Sequence, residues 1–319
     1  MRWGILSTAN IARRVVAGAE LADGVELTAV ASRSLERAQA YASEHGIARA
    51  HGSYEALLAD PEVDAIYNPL PNALHVDWSI RALAAGKHVL CEKPLTADPA
   101  LAERAFDAAE RADRVLMEAF MWRFHPHADQ LVELVRDGRL GRLRYVRATF
   151  GFALAGADVR WSRELAGGAL MDVGCYCVSA LRLICGEPER VSAELVAGGD
   201  GVDARLVALL RFPGDVLGSF DTGLDVAPRS GIELVGDAAT LVVQDPWHGA
   251  DPVLTLRRGD AVETLPVAVV DPYARELEEV EAAVRERRPP RLDRAESVAQ
   301  ARTLAALYRA ARERRSIAL

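Results

Sequence analysis

Cysteine is scarce in this chain: four residues among 319, Cys91, Cys175, Cys177 and Cys185, with no Cys-x-x-Cys pair. That spacing argues against a zinc site or a disulfide scaffold and reads as small buried thiols, so no metal is expected. Long apolar runs are missing too; none approaches the roughly 20 residues of a bilayer-spanning helix, and no membrane partner is expected. Positive charge is short, with 38 Lys and Arg against 46 Asp and Glu and a formal net charge of -8. Such a balance disfavours nucleic acid and leaves a small molecule as the default partner. The opening Met1-Arg2-Trp3-Gly4-Ile5-Leu6 carries no charged lead or cleavage pattern, so a cytoplasmic location is expected. Aliphatic material is plentiful: half the chain is hydrophobic, enough for two cores.

Up to about Glu118, short runs rich in Val, Ile, Leu and Ala (Trp3 to Leu6, Leu27 to Ala31, Ala65 to Tyr67, His88 to Cys91, Val115 to Glu118) alternate with amphipathic stretches. This rhythm predicts βαβ units around a doubly wound parallel sheet. Beyond a helical segment near His127 to Asp137, strand-like runs follow one another: Leu143 to Leu154, Ala204 to Phe212, Val216 to Val226, Gly231 to Val243 and Pro252 to Arg257. Without intervening helices they predict a large mixed, mostly antiparallel sheet, with Gly168 to Cys185 as a covering helix. Pro272 to Arg287 and Asp293 to Arg314 read as closing helices. The expected fold is α/β, with an N-terminal Rossmann domain over residues 1–120 and an α+β substrate and dimerisation domain over 121–319. The C-terminal helix is free to pack back on the first domain.

The first βα turn, Gly4-Ile5-Leu6-Ser7-Thr8-Ala9-Asn10-Ile11-Ala12, sits where a Gly-x-Gly-x-x-Gly fingerprint belongs but has Ser7 and Ala9 at two of the glycine positions. Small residues still let a pyrophosphate approach a helix N-terminus, so Ser7, Thr8, Ala9, Asn10 and Ile11 are candidate cofactor contacts. The second strand ends Ala31-Ser32-Arg33-Ser34, without the carboxylate that an NAD site places on the ribose 2′-hydroxyl. Arg33 and Arg37 could instead clamp a 2′-phosphate with help from Ser32, which predicts NADP(H) over a possible NAD(H). Arg37 equally suits a solvated helix position.

Val89-Leu90-Cys91-Glu92-Lys93-Pro94-Leu95 puts one ionisable amine at the carboxyl end of a buried strand, where open α/β sheets bind ligands. Alone, this leaves open whether Lys93 does chemistry or is a surface lysine before a loop proline. Its company is informative. Tyr67-Asn68-Pro69-Leu70-Pro71-Asn72 with His75, the Glu92-Lys93-Pro94 run, Met117-Glu118-Ala119-Phe120-Met121-Trp122-Arg123-Phe124-His125-Pro126 and Gly167-Gly168-Ala169-Leu170-Met171-Asp172-Val173-Gly174-Cys175-Tyr176-Cys177 together resemble the glucose–fructose oxidoreductase / inositol dehydrogenase / MocA (Gfo/Idh/MocA) family. Within it the likeness is to the dimeric dihydrodiol dehydrogenases and NADP-dependent aldose dehydrogenases.

The resemblance implies an oxidoreductase acting on CH–OH groups of a small molecule, a sugar or polyol, and a homodimer or higher oligomer formed through the C-terminal sheet. It places the family's lysine on Lys93 and its tyrosine on Tyr176, with further pocket positions on His75 and Arg144. Pro69, Leu70, Asn72, His75, Glu92 and Lys93 fall at the cofactor. Many members carry histidine where this chain has Tyr176, and Met121 stands where dihydrodiol dehydrogenases have tryptophan, with Trp122 and Arg123 beside it as substrate candidates.

The residues themselves suggest the chemistry. A phenol is too weak a base near neutrality, but a neighbouring ammonium favours its phenolate, so Tyr176 is the candidate acid/base and Lys93 its electrostatic partner. Asp172, four residues earlier on the same helical face, could orient Lys93, bind a substrate hydroxyl, or cap its helix. Arg160-Trp161 and Trp247-His248 pair an aromatic face with a polar head, which suits a sugar ring or plain packing. Two alternatives stand beside a sugar oxidoreductase: a trans-dihydrodiol dehydrogenase, and a regulatory module that binds nucleotide without turnover.

Overall fold

The computed structural model describes residues 1–248 and 251–319. The chain divides into two compact units, Met1–Phe124 with Asp271–Val298, and His125–Val270 with Ala299–Leu319.

In the first unit, β1 (Arg2–Leu6), α1 (Ala12–Leu21), β2 (Glu26–Ala31), α2 (Leu35–His45), β3 (Arg49–His51), α3 (Tyr54–Leu58), β4 (Ala65–Asn68), α4 (His75–Ala84), β5 (His88–Glu92), α5 (Pro99–Ala112) and β6 (Leu116–Ala119) alternate. The six strands form one parallel sheet in the order β3-β2-β1-β4-β5-β6. This is the doubly wound arrangement, whose ligand crevice lies at the carboxyl ends of β1 and β4, where the winding reverses. Sequence marks the helix starts: Ser34 and Asp98 accept backbone N–H groups of α2 and α5 through their side chains. The three-residue β3 is too short to show in the apolar pattern, which explains its absence from the sequence reading.

The second unit opens with α6 (Pro126–Arg136) and holds a nine-stranded sheet. Its members are β7 (Leu143–Ala153), β8 (Arg190–Ala197), β9 (Asp203–Phe212), β10 (Val216–Gly223), β11 (Asp225–Gly236), β12 (Thr240–Gln244), β13 (Val253–Arg258), β14 (Ala261–Leu265) and β15 (Ile317–Ala318), with α7 (Cys175–Cys185) between β7 and β8. The order is β14-β13-β12-β11-β7-β10-β9-β8-β15, and every pair is antiparallel except β7 with β10. The segment Gly231 to Val243, read from sequence as one strand, is two: the chain turns at Asp237–Ala239 and β11 pairs back on β12. The alternation continues through that turn because Ala238 and Ala239 are apolar. β8 and β14 were missed because Arg190, Ser192 and Glu194 in the first and Glu263 and Thr264 in the second interrupt the apolar pattern.

The remaining helices are α8 (Pro272–Glu286), within the first unit, and α9 (Arg294–Glu313). Gly18 of α1 lets the backbone of α8 approach closely: a Cβ there would stand 2.8 Å from both Ala274 N and Tyr273 Cβ. Among the described residues no helix is long and apolar enough to cross a membrane.

Candidate active site

At the carboxyl edge of the parallel sheet, Ser7 adopts φ +112°, a conformation that glycine favours. Its N–H thereby lies 3.0 Å from Ala31 O, and Ser7 Oγ accepts the Ala9 N–H at 3.3 Å. The backbone is therefore that of a tight dinucleotide turn, although the side chain is serine. It leads into α1, whose N-terminus carries the partial positive charge that a pyrophosphate seeks. Asn10 is exposed, while Thr8, Ala9 and Ile11 are half-buried. At the tip of β2, Arg33 is exposed and close enough to Tyr54 to act on its phenol electrostatically, and the Tyr54 ring meets Trp78 edge-on at 5.0 Å. Arg37 is exposed in the first turn of α2, its N–H held by Ser34 Oγ at 3.3 Å, and Ser32 is buried. The turn and its arginines fit a phosphorylated dinucleotide.

The loops after β4 and β5 are tied together by His75. Its Nδ1 lies 2.9 Å from Pro94 O and its Nε2 2.6 Å from Leu70 O. Burial lowers its pKa to about 4, so the ring is neutral and donates to one carbonyl at a time. This arrangement holds the Pro69–Leu70 loop against the Lys93–Pro94 peptide, which is cis. Both ring nitrogens thus face backbone, which is the geometry of a structural tie. Glu92 is buried and accepts Tyr67 OH at 2.7 Å and the Lys93 N–H at 3.2 Å. Lys93 is half-buried, and Asn72 opens a short 3₁₀ turn ahead of α4. Glu118 accepts the Leu95 N–H at 2.8 Å, which fixes the loop beyond the proline.

Beneath this edge lies a group that the sequence reading missed. Glu276 of α8 is 0% exposed, and among the described residues neither of its carboxyl oxygens meets a hydrogen-bond donor. Burial first, and the charge of Glu92 second, raise its pKa well above the ordinary range, so it carries a proton. The signal was available: Tyr273, Glu276, Leu277, Val280 and Ala283 are all buried, and Glu276 is the acid on that apolar stripe.

In the second unit, a π-helical turn, Leu170–Gly174, precedes α7. Such turns insert an extra residue and recur at functional sites. Asp172 lies within this turn, four residues before Tyr176 at the start of α7. The turn is anchored by buried Asp203, which accepts Leu170 N–H at 2.6 Å and Tyr308 OH at 2.9 Å. Asp172 Oδ2 lies 3.4 Å from Arg160 Nη1, and Arg160 is also held in a two-pronged pair by Asp158, at 2.8 and 2.9 Å. These bonds, Asp158 foremost, keep Arg160 firmly charged.

Tyr176 is 2% exposed. Its ring meets Phe150 edge-on at 5.4 Å and lies 5.9 Å from Trp247, which stacks on Phe150 at 5.8 Å. Its hydroxyl lies 3.4 Å from Nε2 of His248. Trp247 Nε1 donates to Thr149 O at 3.0 Å, pinning the loop after β12 to β7. On α6, Nδ1 of His127 lies 2.8 Å from Nδ1 of His125, and burial, then its neighbour His125, lowers the His127 pKa to about 3.

The other expected substrate residues have packing or ion-pair roles of their own. Trp122 is 0% exposed, inside the first unit's core, and Arg123 is buried in an ion pair with Glu296 at 3.0 Å. Arg144 is on β7 six residues before Phe150, about 20 Å away at roughly 3.3 Å per residue, and pairs with Asp237 at 3.2 Å. Trp161 packs over Gly198, where a Cβ would come within 3.0 Å of the indole. Phe150, Trp247 and His248 are the side chains brought around Tyr176. Among the described residues no group of three His, Cys, Asp or Glu converges to hold a metal ion.

Known proteins resemble this chain along nearly its whole length. Residues 1–120 match the oxidoreductase family with an NAD-binding Rossmann fold, and residues 128–242 match the GFO/IDH/MocA C-terminal domain. The chain is 43% identical to D-xylose 1-dehydrogenase (NADP(+)) 2 of Haloferax volcanii, over 98% of this chain and 97% of that one. It is 36% identical to trans-1,2-dihydrobenzene-1,2-diol dehydrogenase of Danio rerio, over 86% and 81%. Among solved structures, a 3-ketoreductase from Actinomadura kijaniata in complex with NADP and TDP-benzene superposes with a TM-score of 0.92 at 34% identity, covering 97% of both chains. Aldose-aldose oxidoreductase from Caulobacter crescentus superposes with a TM-score of 0.93 at 28% identity, over 100% and 99%. The chain belongs to the Gfo/Idh/MocA family of oxidoreductases.

Proposed function

We propose that this protein is an NADP(H)-dependent oxidoreductase that moves a hydride between nicotinamide and a carbinol or carbonyl carbon of a sugar or polyol. Tyr176 is its acid/base, Lys93 supplies the charge that makes the phenol acidic, and Asp172 binds or orients beside them. The observation that carries the reading is the Tyr176 phenol, buried against Phe150 and Trp247 four residues after Asp172, which pairs with Arg160. An aromatic wall with adjacent charged oxygen and nitrogen donors suits a hydroxylated ring. The NADP preference draws support from Arg33 and Arg37 at the β2 tip, and from relatives named for NADP.

When bound, the nicotinamide supplies the hydride donor or acceptor. In reduction, Tyr176 gives its proton to the carbonyl oxygen as the carbon is reduced; in oxidation the phenolate takes the hydroxyl proton. Such acid/base assistance contributes about 10²–10⁴-fold. Replacing Tyr176 with Phe and Lys93 with Met, with NADP(H) binding and turnover measured separately, is the test. Turnover should collapse while binding persists in Tyr176→Phe, and retained turnover in both variants overturns the assignment. The same aromatic wall accommodates an aromatic diol. A screen of aldoses, ketoses and trans-dihydrodiols at the NADPH absorbance band therefore decides between the two substrate classes.

We further propose a homodimer through the open face of the nine-stranded sheet. There Tyr145, Leu217, Leu209 and Val207 stand exposed on the adjacent strands β7, β10 and β9, interleaved with Arg147, Arg205 and Arg211. Three of the four cysteines are buried, in keeping with a cytoplasmic, reducing location.

A further inference from the structure

We propose that His248 carries the Tyr176 proton to and from water. The inference rests on the acid/base reading of Tyr176 and adds a residue to it. With 2% exposure, the phenol exchanges protons through its neighbours rather than directly with bulk solvent. His248 Nε2 lies 3.4 Å from the phenol oxygen, and the His248 residue is exposed. The imidazole therefore bridges a dry hydroxyl and the solvent. Catalytic hydrogen bonds are often this long before substrate binds.

The position of His248 is built rather than incidental. The residues before it are pinned by Trp247 Nε1 on Thr149 O and by Ser230 Oγ on Asp245 Oδ1 at 3.0 Å. Its own ring packs edge-on against Phe150 at 5.5 Å and tilted against Tyr176 at 5.5 Å. Among the described residues, the groups against its ring include the titratable Tyr176 from α7 and the uncharged Phe150 from β7. Asp245, on its own loop, is engaged by Ser230.

The steps balance. In the reductive direction the carbonyl carbon gains a hydride and its oxygen takes the Tyr176 proton. The imidazolium Nε2–H then reprotonates the phenolate, and imidazole recovers its proton from water. In oxidation, the proton taken from the substrate hydroxyl leaves by the reverse path. Oxidation thus needs the neutral imidazole and reduction the charged one, so the two directions acquire opposite pH limbs.

The test is His248→Gln, which keeps a hydrogen-bonding head but cannot titrate, measured in both directions across pH beside Tyr176→Phe. The wild type should show a limb in the imidazole range, roughly pH 6 to 7, falling on the acid side for oxidation and on the alkaline side for reduction. In His248→Gln both limbs should vanish, kcat should drop about tenfold or more, and added imidazole should restore it with cofactor Kd unchanged. Tyr176→Phe should be inactive with or without imidazole. An unchanged pH profile in His248→Gln, or a loss that imidazole does not restore, overturns the relay while an inactive Tyr176→Phe keeps the acid/base reading. An active Tyr176→Phe overturns both.

Discussion

Replacing Glu276 with Gln should stabilise the first unit, by an amount that grows with pH. The wild-type side chain is fully buried, has no hydrogen-bond donor among the described residues, and shares its surroundings with Glu92, Tyr273 and Asp271. Burial and the Glu92 charge lift its pKa well above the ordinary 4.5, so the folded chain keeps a proton that the unfolded chain releases. A group shifted in this direction supports the fold fully below pH 4.5 and progressively less above it. The loss is on the order of 1 kcal/mol per pH unit for as long as the folded acid stays protonated. Glutamine has the same shape and no proton to lose, and it leaves a buried polar head much like the neutral acid. The variant and the wild type should therefore agree within about 1 kcal/mol at pH 4.5 and diverge with that slope above it. Urea denaturation of the cofactor-free protein at pH 4.5, 5.5 and 6.5 measures the difference. Infrared difference spectra of the two proteins at neutral pH report the carbonyl band of a protonated carboxyl. Parallel stability curves with no such band would refute the reasoning, because Glu276 would then be ionised in the fold.

Arg33→Ala should weaken NADP(H) binding by roughly 10- to 100-fold while moving NAD(H) little, as a lost charge-assisted phosphate contact does; equal effects on both cofactors in titration calorimetry would remove Arg33 from the 2′-phosphate. Gly168→Ala should lower the melting temperature and destabilise by more than about 1 kcal/mol, because Gly168 has φ +116° and a Cβ would run into Oδ1 of Asp203, the residue whose other carboxyl oxygen anchors the turn before α7. A melt unchanged in calorimetry would mean that the anchor yields freely. Leu209→Glu, at 64% exposure on the open sheet face, should dissociate the dimer in sedimentation velocity and leave the melt of each unit nearly unchanged; a sedimentation profile identical to wild type would place the interface elsewhere.

What the sequence carried by itself was local. The alternation of runs and amphipathic stretches is enforced by βαβ geometry, so the parallel sheet and its order of elements were readable. So was the Ser7 turn, because strand, small residues and helix follow one another within ten positions. Arg33 and Lys93 were legible for the same reason, each sitting at the carboxyl end of a strand that the pattern located. Convergence was not legible. Trp122, Arg123 and Arg144 had the chemistry of substrate contacts, yet the fold uses them for a core, a buried ion pair and a strand-end pair. Phe150, Trp247 and Tyr176 come from β7, the loop after β12 and α7, and only the pairing of β7 with β11 and of β11 with β12 brings them together. Glu276 shows the same division: its place on an apolar stripe was written in the sequence, but its proximity to Glu92, 184 positions earlier, and hence its proton, was decided by helix packing. Backbone preference and hydrophobic period act over a few residues and can be read along the chain. Electrostatics and aromatic contact act through space, and distance through space exists only once the chain has folded.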